Sequence, residues 1–245
     1  MQGNFFIATS KSFWYNDIKG ENRGDVMLKY KCLVLDHDDT VVQSEKTIGY
    51  PFFCKILAEY RPGKTIEFTD YVHDCHNLGF ADMCRTRFQF TDWELHDEYM
   101  RWMEHVKTNI PAPFPGIGDV ITRQKDEGGF ICVVSHSSIQ NITRDYDVHF
   151  GIQPDAIYGW DLPEHQRKPN TYPLLAIMEK YNVQPKDMLI VDDMKLAWQM
   201  AQPIGAEIAF AAWGKIEFPE LSEEMREICN YSFESPKELE KFLFE

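Results

Sequence analysis

From Lys31 onward the chain alternates short, continuously apolar runs with longer segments of helical period, a pattern that few architectures accommodate. The runs are CLVLD at 32–36, FICVVS at 130–135, AIYG at 156–159, MLIVDD at 188–193 and EIAFAAW at 207–213. Runs of this length, rich in Val and Ile, suit parallel strands covered on both faces rather than half-exposed ones. Between them stand GDVITRQKDEG, SSIQNITRDYDVHFG, NTYPLLAIMEKYN and MKLAWQMAQPIG, each with helical spacing. Strands alternating with helices of this length predict βαβ units and a doubly wound parallel α/β sheet. In the closing ESPKELEKFLFE, Ser235 is placed to cap, Pro236 to start a helix and Glu238 to complete a capping box.

One stretch breaks the alternation. Residues 43–113 hold no convincing strand but many aromatics, and apolar positions in ELHDEYMRWMEHV recur three or four apart. An all-helical insertion after the first strand is predicted, with PAPFPG at 111–116 as the linker returning to the sheet. This divides the chain into an extension at 1–29, a core of 30–42 and 114–245, and the insertion at 43–113. Met27 is a candidate natural start.

Composition narrows the function classes. The 245 residues carry a formal net charge of −14, a field that repels nucleic acid and anionic membranes and attracts metal cations. No segment has the apolar length of a membrane span, and the opening residues lack a signal-peptide layout. The six cysteines are scattered with no CxxC pair, as in reduced core thiols of a cytoplasmic protein.

The polar residues gather at strand ends. Asp36 and Asp38 follow the first run, Ser135 ends the second, Asp192 and Asp193 end the fourth, and Lys168 follows the third. In open α/β sheets this is where ligands bind. Carboxylates converging there repel by ~4 kcal/mol per close pair at an effective dielectric near 20, so a cation must compensate. Oxygen donors without neighbouring His/Cys spacing favour Mg²⁺ over zinc. In VHDCHNLGF, His73, Cys75 and His76 crowd three ligands into four residues with no evident fourth, which argues against a second metal site. His37 is expected to point away from the crevice by strand alternation.

The four clusters, DHDDT at 36–40, VVSHSS with Ser135, RKPNTYP with Lys168 and LIVDD with Asp192 and Asp193, resemble in order and placement the motifs of the haloacid dehalogenase superfamily. The likeness is to its phosphatase branch with a helical cap, of phosphoglycolate phosphatase or β-phosphoglucomutase type, and covers residues 30–245. It implies a Rossmann-like core, the insertion as cap, and a Mg²⁺-dependent phosphatase acting on a small phosphorylated metabolite.

In that scheme Asp36 is the nucleophile that forms an aspartyl phosphate, and Asp38 the general acid and base. Thr40, Ser135 and Lys168 hold phosphoryl oxygens. Asp36, the main-chain carbonyl of Asp38 and Asp193 bind the metal, with Asp192 in support. Arg85, Arg87 and His136 are further candidates to meet a substrate anion, a solvated face being the alternative for the arginines. Two departures stand out: Asp39 occupies a position usually glycine, and Asp192 stands for the glycine of the commoner fourth motif. Asp38 argues against the dehalogenase and phosphonate-cleaving branches. A phosphomutase and a non-catalytic phospho-ligand-binding protein remain as alternatives.

Overall fold

The computed structural model describes residues 28–245, so the extension expected at 1–29, Met27 included, lies almost wholly outside the described residues. All five apolar runs form strands: β1 (Cys32–Leu35), β2 (Phe130–Val134), β3 (Ala156–Tyr158), β4 (Met188–Asp192) and β5 (Glu207–Ala211). A sixth, β6 (Tyr231–Phe233), was not read from the sequence, its three residues being too few to show a period. The strands pair in the order β3-β2-β1-β4-β5-β6, all parallel, with Leu33 of β1 level with Ile131 of β2 and Leu189 of β4.

Strand alternation sorts the side chains onto two buried faces. Leu33, Leu35, Ile131, Val133, Leu189 and Val191 meet α5 (Ile117–Asp126), α6 (Ile139–Phe150) and α10 (Pro236–Phe244). Cys32, Val34, Cys132, Val134, Met188 and Ile190 meet α7 (Tyr172–Tyr181) and α8 (Lys195–Ala201). Both faces of the central strands are covered, so β1, β2 and β4 read as long apolar runs. The alternation of helix and strand predicted from sequence is thus the observed architecture. All six cysteines are free thiols.

Between β1 and α5 the chain forms α1 (Tyr50–Tyr60), α2 (Phe68–Leu78), α3 (Phe80–Phe88) and α4 (Asp92–His105), preceded by one π-helical turn at Glu45–Gly49. These helices share a core of their own around Phe53, Ile56, Leu57, Tyr71 and Met83, which Phe218 and Leu221 join from α9 (Pro219–Ile228) and the turn before it. Helix α4 begins with a reciprocal box between Thr91 and Glu94. The segments entering and leaving the helices lie side by side: Gln43 N donates to Ala112 O (2.8 Å) and Phe114 N to Val41 O (2.9 Å).

The closing helix differs from expectation in one bond. Ser235 Oγ accepts from Glu238 N (3.3 Å), but Glu238 reaches back to Glu234 N rather than to Ser235 N, so the cap is one-sided.

Two stability measurements follow from this packing. Leu33→Ala in the central strand removes a fully buried side chain and is expected to cost about 2–5 kcal/mol in urea unfolding. Ser235→Ala should cost about 1 kcal/mol by the same measurement, the loss of a single cap bond.

Candidate active site

The site begins where β1 ends. Asp36 N extends the ladder by one bond to Val191 O (2.9 Å), and the chain then folds back so that Val41 N and Val42 N both donate to His37 O (2.8 and 3.0 Å). That turn requires Asp39 at φ 54°, the left-handed region that Asp tolerates better than most side chains. The departure from glycine at this position therefore leaves a left-handed turn in place. Gly214 holds it from the other side: a Cβ there would lie 2.0 Å from the Asp39 carbonyl oxygen, so only glycine permits the approach. Trp213 Nε1 donates to Thr40 O (3.0 Å) across the same contact.

Lys168, from the loop before α7, inserts its ammonium between two strand ends. Its Nζ lies 3.0 Å from Asp36 Oδ1 and 2.8 Å from Asp192 Oδ2, with all three side chains buried. Burial works against the ammonium, but the Asp192 and Asp36 carboxylates more than offset it and raise its pKa. Burial and the nearby Asp36 charge push Asp192 well above the usual carboxylate range. A second buried ammonium, Lys215, pairs with Asp193 and lies 3.4 Å from Asp39 Oδ2. Asp39 is pushed up to about 6 by burial, against the pull of Lys215.

Among the described residues, Asp36, Asp192 and Asp193 form the one group able to hold a metal ion, each offering a carboxylate oxygen within 4.8 Å of the others. An all-oxygen, buried donor set of this kind fits a hard divalent cation. His73, Cys75 and His76 form no such group; His76 is buried with its Nε2 3.5 Å from Glu224.

The other sequence candidates distribute as follows. Asp38 Oδ1 accepts from Ser44 Oγ at 2.6 Å, and Asp38 lines the large cavity above Asp36. Ser135 is buried at the cavity floor, its Oγ accepting from Ser137 N (3.1 Å), while Ser138 rather than Ser135 caps α6. Thr40 is fully buried and gives its hydroxyl to Asp193 Oδ1 (3.2 Å). His136 lines the cavity with Nε2 2.6 Å from the Lys168 carbonyl; burial and the Lys168 charge lower its pKa to about 4, so it is neutral. Arg85 reaches the cavity wall but is engaged by Asp82 and Asp92. Arg87 is held by Asp70 and Asp74 away from the cavity lining. His37 turns onto α6, 3.0 Å from Asp145, as strand alternation requires.

Sequence reasoning missed three charged groups here. Lys215 follows β5, so the rule that ligands gather at strand ends could have found it. Glu45 and Glu98 line the cavity, and burial pushes each carboxyl up to about 8. Nothing in the helical pattern marks them, because a glutamate on an amphipathic helix ordinarily faces water.

No described helix is long and apolar enough to cross a membrane. A sequence comparison with curated proteins gives no match. Solved structures share the fold. A Lactobacillus plantarum protein provisionally assigned as a phosphoglycolate phosphatase superimposes with a TM-score of 0.71 at 19% identity, over 88% of this chain and 100% of that one. CbbY from Rhodobacter sphaeroides, in complex with phosphate, gives 0.67 at 18% identity, over 86% and 96%. A point mutant of CbbY has been solved with xylulose-1,5-bisphosphate. Residues 33–211 match the family model for haloacid dehalogenase-like hydrolases, and with the four clusters assembled at one set of strand ends, the chain belongs to that family.

Proposed function

We propose that the protein is a Mg²⁺-dependent phosphatase that hydrolyses a small phosphorylated metabolite through a phosphoryl-Asp36 intermediate. The observation that carries this reading is the Lys168 ammonium held between Asp36 and Asp192 at the floor of a cavity of about 550 Å³. A lysine there draws a phosphoryl group onto Asp36 and balances its charge during transfer.

Asp36 Oδ attacks phosphorus, the P–O bond to the leaving group breaks, and the departing oxygen takes a proton from Asp38. Asp38, as carboxylate, then removes a proton from the water that attacks the phosphoryl-Asp36, releasing inorganic phosphate and restoring the aspartate. Ser44 fixes the Asp38 carboxyl at 2.6 Å, so the acid and base is oriented from the segment that leads into the helical insertion. Ser135, with its hydroxyl on the cavity floor, and Lys168 receive phosphoryl oxygens. Thr40 serves the same site indirectly by orienting Asp193. Asp36, Asp192 and Asp193 would hold Mg²⁺, which supplies charge neutralisation for the transferring group.

The helices of residues 43–113 act in this reading as a cap that shields the cavity from bulk water. The free thiols accord with a cytoplasmic enzyme.

The test is phosphate release from a panel of phosphate monoesters with added magnesium. Asp36→Asn should lower turnover by about 10³-fold or more without loss of the folded circular-dichroism spectrum, and unchanged release would remove Asp36 from the chemistry. Asp38→Asn should cost about 10²–10⁴ in kcat. Chelation with EDTA should abolish release and added Mg²⁺ restore it. Conversion of a hexose 1-phosphate to its isomer without net release would instead identify a mutase.

A further inference from the structure

The cavity above Asp36 is far larger than a phosphoryl group requires. Its volume of about 550 Å³ falls in the range of pockets that enclose a drug-sized ligand. Four half-buried aromatic side chains line it: Phe80 from α3, Tyr99 and Trp102 from α4, and Trp160 from the loop after β3. These differ from Phe53 and Tyr71, which are almost wholly buried in the core of the helical insertion. The lining rings keep exposed surface that the protein's own packing does not cover.

The rings are also fixed in place. Trp102 packs on Phe52 with centroids 5.4 Å apart, and Tyr99 approaches Trp160 at 6.1 Å and 34°, joining insertion to core across the cavity rim. Arg167 stacks its guanidinium 4.0 Å from the Trp160 ring while its Nε donates to Leu162 O (2.6 Å). Held rings of this kind offer flat faces for offset or edge-on stacking.

A polar group stands beside these rings on the helix that carries Tyr99 and Trp102. Glu98 on α4 is 8% exposed, lines the cavity, and has no hydrogen-bond or ion-pair partner among the described residues. With no partner in the protein and its side chain on the cavity, the carboxyl is free to take a hydrogen bond from a ligand. Burial raises its pKa to about 8, so near neutral pH the carboxyl is mostly protonated and able both to donate and to accept.

We infer that the leaving group is an aromatic alcohol, its ring stacked among Phe80, Tyr99, Trp102 and Trp160 and a ring hydroxyl or nitrogen bonded to Glu98. This rests on the phosphatase reading, and it sets aside short aliphatic phosphates as preferred substrates. A two-carbon chain would leave the rings and Glu98 without contact.

The experiment compares esters of primary alcohols, so that bond reactivity is matched and selectivity reports the cavity. With the full chain and Mg²⁺, kcat/KM for benzyl phosphate should exceed that for ethyl phosphate by about 30-fold or more. 3-Hydroxybenzyl phosphate should exceed benzyl phosphate, and Glu98→Leu should erase that second preference. Trp102→Ala should reduce the benzyl-over-ethyl ratio at least about 5-fold; if that variant does not fold, Trp160→Leu on the core side is expected to do the same.

Calorimetric binding of benzylphosphonate against ethylphosphonate, neither of which can be hydrolysed at its P–C bond, reads the cavity without turnover. Equal kcat/KM for the benzyl and ethyl esters together with equal phosphonate affinity would overturn the inference. Selective benzylphosphonate binding with no turnover of any ester would support the cavity assignment while sinking the phosphatase reading.

Discussion

The ammonium of Lys168 between Asp36 and Asp192 is the contact on which the site depends. Three groups from three separate chain segments meet almost fully buried at the cavity floor, where burial works against the charge of each. Removing one partner from a buried arrangement of this kind typically costs about 3–5 kcal/mol, because the remaining charge is stranded. The sheet makes the meeting possible: β1 and β4 are neighbours, so Asp36 and Asp192 follow adjacent strand ends, and the loop bearing Lys168 crosses above them.

Lys215 performs a comparable service one strand further out. Its pairing with Asp193 and Asp39 places a second fixed positive charge beside the carboxylates. The five aspartates at 36, 38, 39, 192 and 193 still outnumber the two lysines, an imbalance that a divalent cation would relieve. The approach of Gly214 to the Asp39 carbonyl belongs to the same arrangement, since it sets the depth to which the turn carrying Lys215 can descend.

Much of this was legible in the sequence for a physical reason. Strands buried on both faces leave long apolar runs, and a polar cluster at the end of each run stands out against them. Asp36, Ser135, Lys168, Asp192 and Asp193 were found in that way. What escaped notice lacked such contrast. β6 is three residues long, and Lys215 sits after a Gly with no second charge beside it. Glu98 was hidden more deeply, because helical period identifies which positions share a face but not what packs over that face. Thr40 shows a further limit: its place in the motif was plain, whereas its bond to Asp193 depends on a partner 153 residues away.

The paired segments at Val41–Gln43 and Ala112–Phe114 carry a broader implication. Because the chain leaves and re-enters the α/β core at a single doorway, closed by two backbone bonds, the strand order is indifferent to what lies between. The helices inserted there could be lengthened, shortened or exchanged for an unrelated module while β1 stayed in register with β2 and β4. A lineage can therefore revise the chamber above the aspartates and leave the chemistry beneath it untouched.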